Sequence, residues 1–334
     1  MLLTCQPNFE SLLAREVAQG GARISSQGAG WVLTEGECNE SAFAHLMMRE
    51  TTEIRGESVN ALAKLLAEYF LEGIKGDRIE AAWPCVLQGP TEMEGLNRRI
   101  YAVQKALREF LKKRLSRVAK LAVADLPRGM QEARGLFVWF TDFGVMQVSR
   151  TATVNGQRRM ADDSLAPSRS YLKAEEGYVV LGQEPTEGET VVDLGAAPGG
   201  WSYSAAKRGA RVIALDNGPM KGGALGHDLI EHRLEDAFRF YPATSDTTYD
   251  WLFCDMVEEP HHVLKHIIEP WLAGGWCRQF VVNLKFGRVD PVALLDELRA
   301  ADSPLKKYAP GTRIRHLYHD REEFTLTGKV RPLE

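Results

Sequence analysis

The rhythm of the chain changes near residue 172, and this constrains the fold more than any other feature. Beyond that point TVVDLG, ARVIALD, YDWLFCDM and CRQFVVNLKF read as short apolar strands. WSYSAAKRG, VLKHIIEPWLAGG and VALLDELRAA, which intervene, read as helices. Strands alternating with helices predict an α/β unit with a doubly wound parallel sheet over residues 173–334, closed by RIRHLYHD and EFTLTG as two last strands. Ahead of it the texture is α+β, in two small units over 1–58 and 59–152, the second ending in the strand pair GLFVWFTD and GVMQVSRTA. The polar, Pro-punctuated stretch NGQRRMADDSLAPSRSYL predicts a linker over 153–172.

Composition excludes whole classes. With 44% hydrophobic and 26% charged residues the chain is a globular protein able to bury large cores. It has no apolar run near the roughly 20 residues that span a bilayer, and the start MLLTCQPNFESLLARE lacks a cleavage site, so a cytoplasmic protein with no membrane partner is expected. Five cysteines without a CxxC pair predict reduced thiols. His261, His262 and His266 come without an HExxH pattern, so no metal is expected. The net charge of -4 gives no overall pull on a polyanion.

Charge is nevertheless uneven. In RRIYAVQKALREFLKKRLSRVAK, residues 98–120, nine Lys or Arg accompany the single acid Glu109, while Ile100, Val103, Leu107, Phe110, Leu111 and Val118 recur at helical spacing. Such a helix is either a solvated face over a core or an electrostatic footprint for a phosphate backbone. Its candidate contacts are Arg98, Arg99, Lys105, Arg108, Lys112, Lys113 and Arg117. By itself the pattern leaves both readings open.

VVDLGAAPGGWSY, residues 191–203, passes from strand through a bare turn into a helix, the place where open α/β sheets bind nucleotides. Asp193, Gly195, Ala197, Pro198, Gly199 and Gly200 occupy that turn and are its candidate cofactor contacts. Its glycine offsets miss the second glycine of GxGxxG, and the chain has no GxxxxGK[ST], which speaks against a dinucleotide or a gripped triphosphate. Asp216, ending the second strand, can accept from both hydroxyls of an adenosine ribose. Asp236, after a third strand, can meet the adenine edge. A bare turn with acids at successive strand ends suits a nucleoside whose other end is cationic, such as S-adenosylmethionine.

Four more residues gather at later strand ends: Asp255 closes WLFCDM, Lys285 closes FVVNLKF, Lys173 precedes the first strand, and Glu323 opens the last. Strand phase favours Glu323 over its neighbour Glu322. Methyl transfer from a sulfonium is an in-line displacement that needs an aligned oxygen nucleophile and an acceptor for its proton. Lys285, with its pKa lowered by burial beside another cation, would be that base, with Asp255 orienting it and Lys173 and Glu323 completing the charges. The place after the fourth strand reads CDMVEEP rather than the Asn/Asp-Pro-Pro-aromatic turn of amine methylation. Cys254 should alternate away from Asp255, which removes it as a nucleophile for base-carbon methylation.

DLGAAPGGWS, CDM, NLKFG and EFTL resemble the Lys-Asp-Lys-Glu ribose 2'-O-methyltransferases. APSRSYLKAEE, DLGAAPGGW, DNGPM, CDMVEEP, WCRQFVVNLK and LYHDREEFT together are similar to the bacterial 23S ribosomal RNA 2'-O-ribose methyltransferase M family. The resemblance covers residues 167–325. It implies a class I Rossmann-like methyltransferase domain that methylates the ribose of a cytidine in 23S ribosomal RNA. It further implies that Ser170, the stretch from Ala197 to Gly200, Asp216, Asp236 and Asp255 contact S-adenosylmethionine, and that Lys285 accepts the proton. Ahead of that domain it implies a ferredoxin-like unit and a THUMP-type RNA-binding unit, with no obligate protein partner, and it tips the basic helix toward phosphate binding. This chain departs from the family's frequent Cys at Ala197, a position where only the backbone is needed. Alternatives are another RNA such as tRNA as substrate, a non-catalytic assembly factor, and a dehydrogenase. The complete set of four reactive residues opposes the second and the glycine offsets oppose the third.

Overall fold

A computed structural model describes residues 1–38, 40–242 and 247–332 and divides the chain into two compact units, Met1–Asn155 and Gly156–Glu334. In the first, the chain runs β1 (Leu2–Thr4), α1 (Glu10–Gln19), β2 (Arg23–Gly28), β3 (Trp31–Glu35), β4 (Leu46–Arg49), β5 (Thr52–Arg55) and α2 (Val59–Gly73). It continues with β6 (Trp83–Gln88), α3 (Leu96–Arg114), α4 (Ser116–Leu121), β7 (Ala122–Val123), β8 (Met130–Asp142) and β9 (Val145–Asn155). One sheet joins them in the order β2-β3-β1-β4-β9-β8-β6-β7, with β5 also pairing β9. The long hairpin β8–β9 links the two small units expected from the sequence, so the boundary at 58/59 falls within one continuous sheet.

The apolar stripe of the basic stretch packs as its spacing requires: Ile100, Val103, Leu107 and Leu111 are buried among α2, β6 and β8. The stretch is not one helix, however. It breaks at Leu115, and α4 turns so that the Val118 carbonyl accepts from Trp83 Nε1 at 2.9 Å. That bond anchors the second segment to β6.

The second unit comprises α5 (Tyr171–Leu181), β10 (Thr190–Leu194), α6 (Gly200–Ala206), β11 (Arg211–Leu215), β12 (Ile230–Arg233), β13 (Tyr249–Cys254), α7 (Pro260–Val263), α8 (Glu269–Ala273), β14 (Cys277–Lys285), α9 (Pro291–Arg299), α10 (Pro304–Tyr308), β15 (Arg313–Arg315) and β16 (Glu323–Lys329). Its sheet order is β12-β11-β10-β13-β14-β16-β15. The first five strands are mutually parallel and β16 is antiparallel to both its neighbours. The order reverses between β10 and β13, so a crevice opens outside their carboxyl ends. β10, β13 and β14 are nearly continuous apolar runs because helices cover both faces of a parallel sheet, leaving Val191, Val192, Trp251, Phe253, Val281 and Val282 buried. Ser58 caps α2 through Ala61 N, and Asp290 caps α9, whose N1 residue is Pro291.

Two expectations are corrected here. RIRHLYHD is a strand only over Arg313–Arg315. After it, the buried Glu176 carboxylate takes the backbone N–H groups of Tyr318 and His319, and Asp320 takes that of Leu317, which holds this segment as a loop. The linker range 153–172 is not free chain either: it begins inside β9 and ends inside α5. Between them Arg158 N donates to Glu176, and Tyr171 Oη donates to the Ala161 carbonyl.

Candidate active site

Leaving β10, the N–H groups of Gly195 and Ala196 turn back to the Leu215 carbonyl of β11 at 2.9 and 3.1 Å. Gly195 has φ 76° and Gly199 φ 100°, conformations that favour glycine. A Cβ on Gly195 would sit 2.2 Å from Met256 Cγ, and one on Gly199 2.5 Å from the Ala224 Cβ. The turn is therefore bare first because its own neighbours press against it. Gly200 opens α6 against the hydroxyls of Ser168 and Ser170, which lie 2.8 Å apart, and the Ser170 carbonyl accepts from Trp201 Nε1. The peptide between Ala197 and Pro198 is cis.

The acids differ in station. Asp216 accepts from Ala197 N at 3.0 Å and Gly218 N at 2.7 Å, one bond to each oxygen, which pins the loop after β11 to the turn after β10 and leaves lone pairs for ribose hydroxyls. Asp236 is exposed and caps the short turn Ala237–Arg239 through Phe238 N. Asp193 is buried beneath the turn, where it accepts from Ser202 Oγ at 2.6 Å. Burial pushes its carboxyl up to about 7 against the Ser202 hydrogen bond, with Asp255 and Asp216 adding to the rise.

At the carboxyl ends of β13 and β14 the four charged residues meet. Lys285 ends β14 directly opposite Glu323 in the antiparallel register with β16, and the two form an ion pair. Lys285 Nζ also lies 2.5 Å from Asp255 Oδ1. Lys173, on the first turns of α5, reaches Glu323 at 2.5 Å and Asp255 at 3.5 Å. Cations and anions thus alternate around a ring. Glu322 lies outside it, its carbonyl accepting from Phe286 N. The expected lowering of the Lys285 pKa is corrected: burial acts in that direction, but the carboxylates of Asp255 and Glu323 outweigh it and raise the pKa above that of a free lysine. Burial likewise raises Glu323, and the ammonium groups of Lys285 and Lys173 more than reverse it. Burial pushes the Cys254 thiol up to about 12, so it is an inert core residue.

A basin of about 620 Å³ opens above the ring, bordered by Arg169, Ser170, His319, Arg321 and Val257. Val257 is 94% exposed. His319 Nε2 accepts from Met160 N at 3.0 Å, and burial lowers its pKa with help from Arg169 and Arg159, so the ring is neutral at pH 7. Of the basin residues named, Ser170 alone was singled out in the sequence; Arg169, His319, Arg321 and Val257 were not, nor was Asn283, whose Nδ2 donates to Asp255 Oδ1 at 3.1 Å. Asn283 had a signal, since it stands two residues before Lys285 and so shares its strand face.

In the first unit, Arg98, Lys105, Arg108, Lys112, Lys113 and Arg117 are exposed on α3 and α4. Lys112 pairs with Glu109. Arg99 is half-buried and donates to the Glu57 carbonyl at 2.5 Å, which ties α3 to the start of α2. His261, by contrast with any metal ligand, bridges Glu259 and Glu297.

A strand order reversing at β10, a glycine turn there, and a Lys-Asp-Lys-Glu ring at neighbouring strand ends define a class I Rossmann-like methyltransferase, the class whose methyl donor is S-adenosylmethionine. The FtsJ-like methyltransferase family matches residues 166–289. The Marinomonas sp. (strain MWYL1) protein named ribosomal RNA large subunit methyltransferase M is 43% identical over 187 residues, 53% of this chain and 52% of that one, so this alignment spans about half of the relative's length. Its namesake from Chromohalobacter salexigens is 31% identical over 358 residues, 97% of this chain and 96% of its own. The chain belongs to the ribosomal RNA large subunit methyltransferase M family. Among solved structures, the putative methyltransferase SMU.472 complexed with SAH is similar over 100% of this chain and 98% of its own, with a TM-score of 0.39 and 10% identity.

Proposed function

We propose that the protein transfers the methyl group of S-adenosylmethionine to the ribose 2'-hydroxyl of a cytidine in 23S ribosomal RNA. The observation that carries this reading is the ring in which Lys285 contacts both Asp255 and Glu323, and Lys173 contacts the same two carboxylates. It stands beside a turn whose backbone can lie against a ligand. The donor, held by Gly195, Ala197 to Gly200, Ser170, Asp216, Asp236 and Asp255, supplies an electrophilic methyl on a sulfonium. As a neutral amine Lys285 would orient the 2'-hydroxyl and take its proton as the oxygen–methyl bond forms and the donor's sulfur–methyl bond breaks, the thioether S-adenosylhomocysteine leaving. Since two carboxylates hold Lys285 as an ammonium at rest, it first gives one proton to solvent in the open basin, a loss eased when Asp255 shares its charge with a cationic donor. Lys173 keeps Glu323 and Asp255 compensated while that proton moves.

Residues 1–58 and 59–152 are read as ferredoxin-like and THUMP-type RNA-binding units, and residues 173–334 as the catalytic domain, the range 153–172 joining them. The order β4-β1-β3-β2, with α1 between β1 and β2, supports the first assignment. The exposed cations of α3 and α4 support the RNA reading, with Arg99 in a structural place beside them. The substrate is rRNA before or during large-subunit assembly, in the cytoplasm, and among the described residues no helix is long and apolar enough to cross a membrane. Mapping ribose methylation across the rRNA of a deletion strain tests the substrate: loss of one 23S mark is expected, and an unchanged 23S pattern would overturn it. Lys285→Ala should abolish turnover while leaving the dissociation constant for S-adenosylmethionine within about threefold, the pattern of a group that acts in the transition state; retained turnover would remove Lys285 as the base.

A further inference from the structure

Behind the charged ring lies a second row of buried polar groups: Asn283, Thr325 and Asp320. Asn283 is the register partner of Thr325, as Lys285 is of Glu323 two residues away on the same strand faces. Thr325 Oγ1 lies 2.7 Å from Asn283 Oδ1 and 3.1 and 3.0 Å from Asp320 Oδ1 and Oδ2.

The hydrogens in this row can be counted. Asp255 accepts from both lysines, so the group that Asn283 turns toward it at 3.1 Å must be the amide NH2, which points Asn283 Oδ1 at Thr325. Two oxygens 2.7 Å apart need a hydrogen between them, and an amide oxygen has none to give. Thr325 therefore spends its single hydrogen on Asn283 and has only lone pairs left for Asp320. A carboxylate against those lone pairs would repel them, so the hydrogen between Thr325 and Asp320 belongs to Asp320. Asp320 Oδ2 also accepts from Leu317 N at 2.8 Å. Electrostatics agree: burial raises the Asp320 pKa well above the carboxylate range and Glu323 adds to this, while the Leu317 N–H and Lys173 pull it down without reversing the shift.

We propose that Asp320 is a neutral carboxylic acid and a positioning residue, the head of a one-way hydrogen-bond chain from Asp320 through Thr325 and Asn283 to Asp255. The chain locks the Asn283 amide in the orientation that donates to Asp255, and so holds the carboxylate that faces Lys285. A protonated acid suits this place because an ionised one would reverse the Thr325 hydroxyl and leave Asn283 Oδ1 facing bare oxygen. This inference rests on the catalytic reading of the ring for its consequence, but not for its protonation state.

Two measurements on the full chain test it. An infrared difference spectrum of wild type against Asp320→Asn at neutral pH should show the C=O band of a protonated carboxyl that shifts in D2O; no such band would overturn the proposal, and this readout needs no turnover. In methylation assays Asp320→Asn, whose amide can still donate to Thr325 and accept from Leu317, should keep kcat within about threefold. Thr325→Val, which cuts the chain, should lower kcat by about tenfold or more at nearly constant KM for the donor. Asp320→Asn falling as far as Thr325→Val, or Thr325→Val matching wild type, would show that no such chain holds Asp255. Turnover retained by Lys285→Ala with the infrared band present would instead strike the catalytic reading and leave the protonated acid standing.

Discussion

Gly195 leaves the turn after β10 almost no freedom, since its φ of 76° and the Met256 Cγ at 2.2 Å from a Cβ both oppose any side chain. Gly195→Ala should destabilise the protein by about 1–3 kcal/mol and weaken donor binding, measured by denaturant unfolding and calorimetry. Asp193 makes a pH-dependent prediction. Its folded pKa of about 7 lies above the unfolded value of about 3.9, so the folded state binds a proton that the unfolded state has lost. Its contribution to stability therefore falls as pH rises from about 4 to about 7, and the full penalty remains above that. Asp193→Asn, which still accepts from Ser202, should raise the unfolding temperature at pH 8, with the gain fading by pH 4; an equal gain at both would assign the effect to packing instead. The sequence placed Lys285, Asp255 and Glu323 at strand ends because strand phase can be read from alternation, and Lys173 ahead of the first strand. It could not give the direction of the Lys285 pKa, which depends on how many carboxylates come within reach rather than on burial alone. The Asn283–Thr325 pairing was hidden for a related reason, since it needs the register of β14 with β16 and not only their existence.

At the scale of elements, α3 joins two roles on one surface: Val103, Leu107 and Leu111 face the core and Arg108, Lys112 and Lys113 face solvent. Replacing those three cations with Gln should leave the unfolding temperature unchanged and reduce the salt dependence of RNA binding by a slope of about 2 to 3, at roughly 0.7 to 0.9 per phosphate contact; an unchanged slope would make this a solvated face only. Hydrophobic periodicity showed α9 and the strands β10, β11, β13, β14 and β16, because each carries one unambiguous period over its length. It missed the break at Leu115, where the apolar period runs on while α4 turns and its Val118 carbonyl accepts from Trp83 Nε1. The same holds for Arg315 to Asp320, where a buried Glu176 wins backbone N–H groups from a would-be strand. Tertiary partners of this kind leave no local trace.

For the whole molecule, each unit has a buried core of its own, around Leu66, Val103, Phe140 and Val148 in one and Val191, Trp201, Ala214 and Phe253 in the other. The fragment 156–334 should accordingly fold alone, unfold in one transition and bind S-adenosylmethionine with an affinity within about threefold of the full chain, while losing most RNA affinity; a fragment that aggregates or cannot bind the donor would show that the first unit is needed for its fold. The change of rhythm near residue 172 exposed this division in outline. The side to which 156–170 belongs depended on bonds from Arg158 and Tyr171 that composition does not reveal.

The insertion of β16 between β14 and β15 also governs when chemistry can begin. Until residue 323 is made, Lys285 lacks its register partner and Lys173 one of its two carboxylates. The last strand to be made enters the interior of the sheet rather than its edge. The ring of four charges is therefore closed by the last strand to be made, and a chain ending before Glu323 lacks one of its two carboxylates.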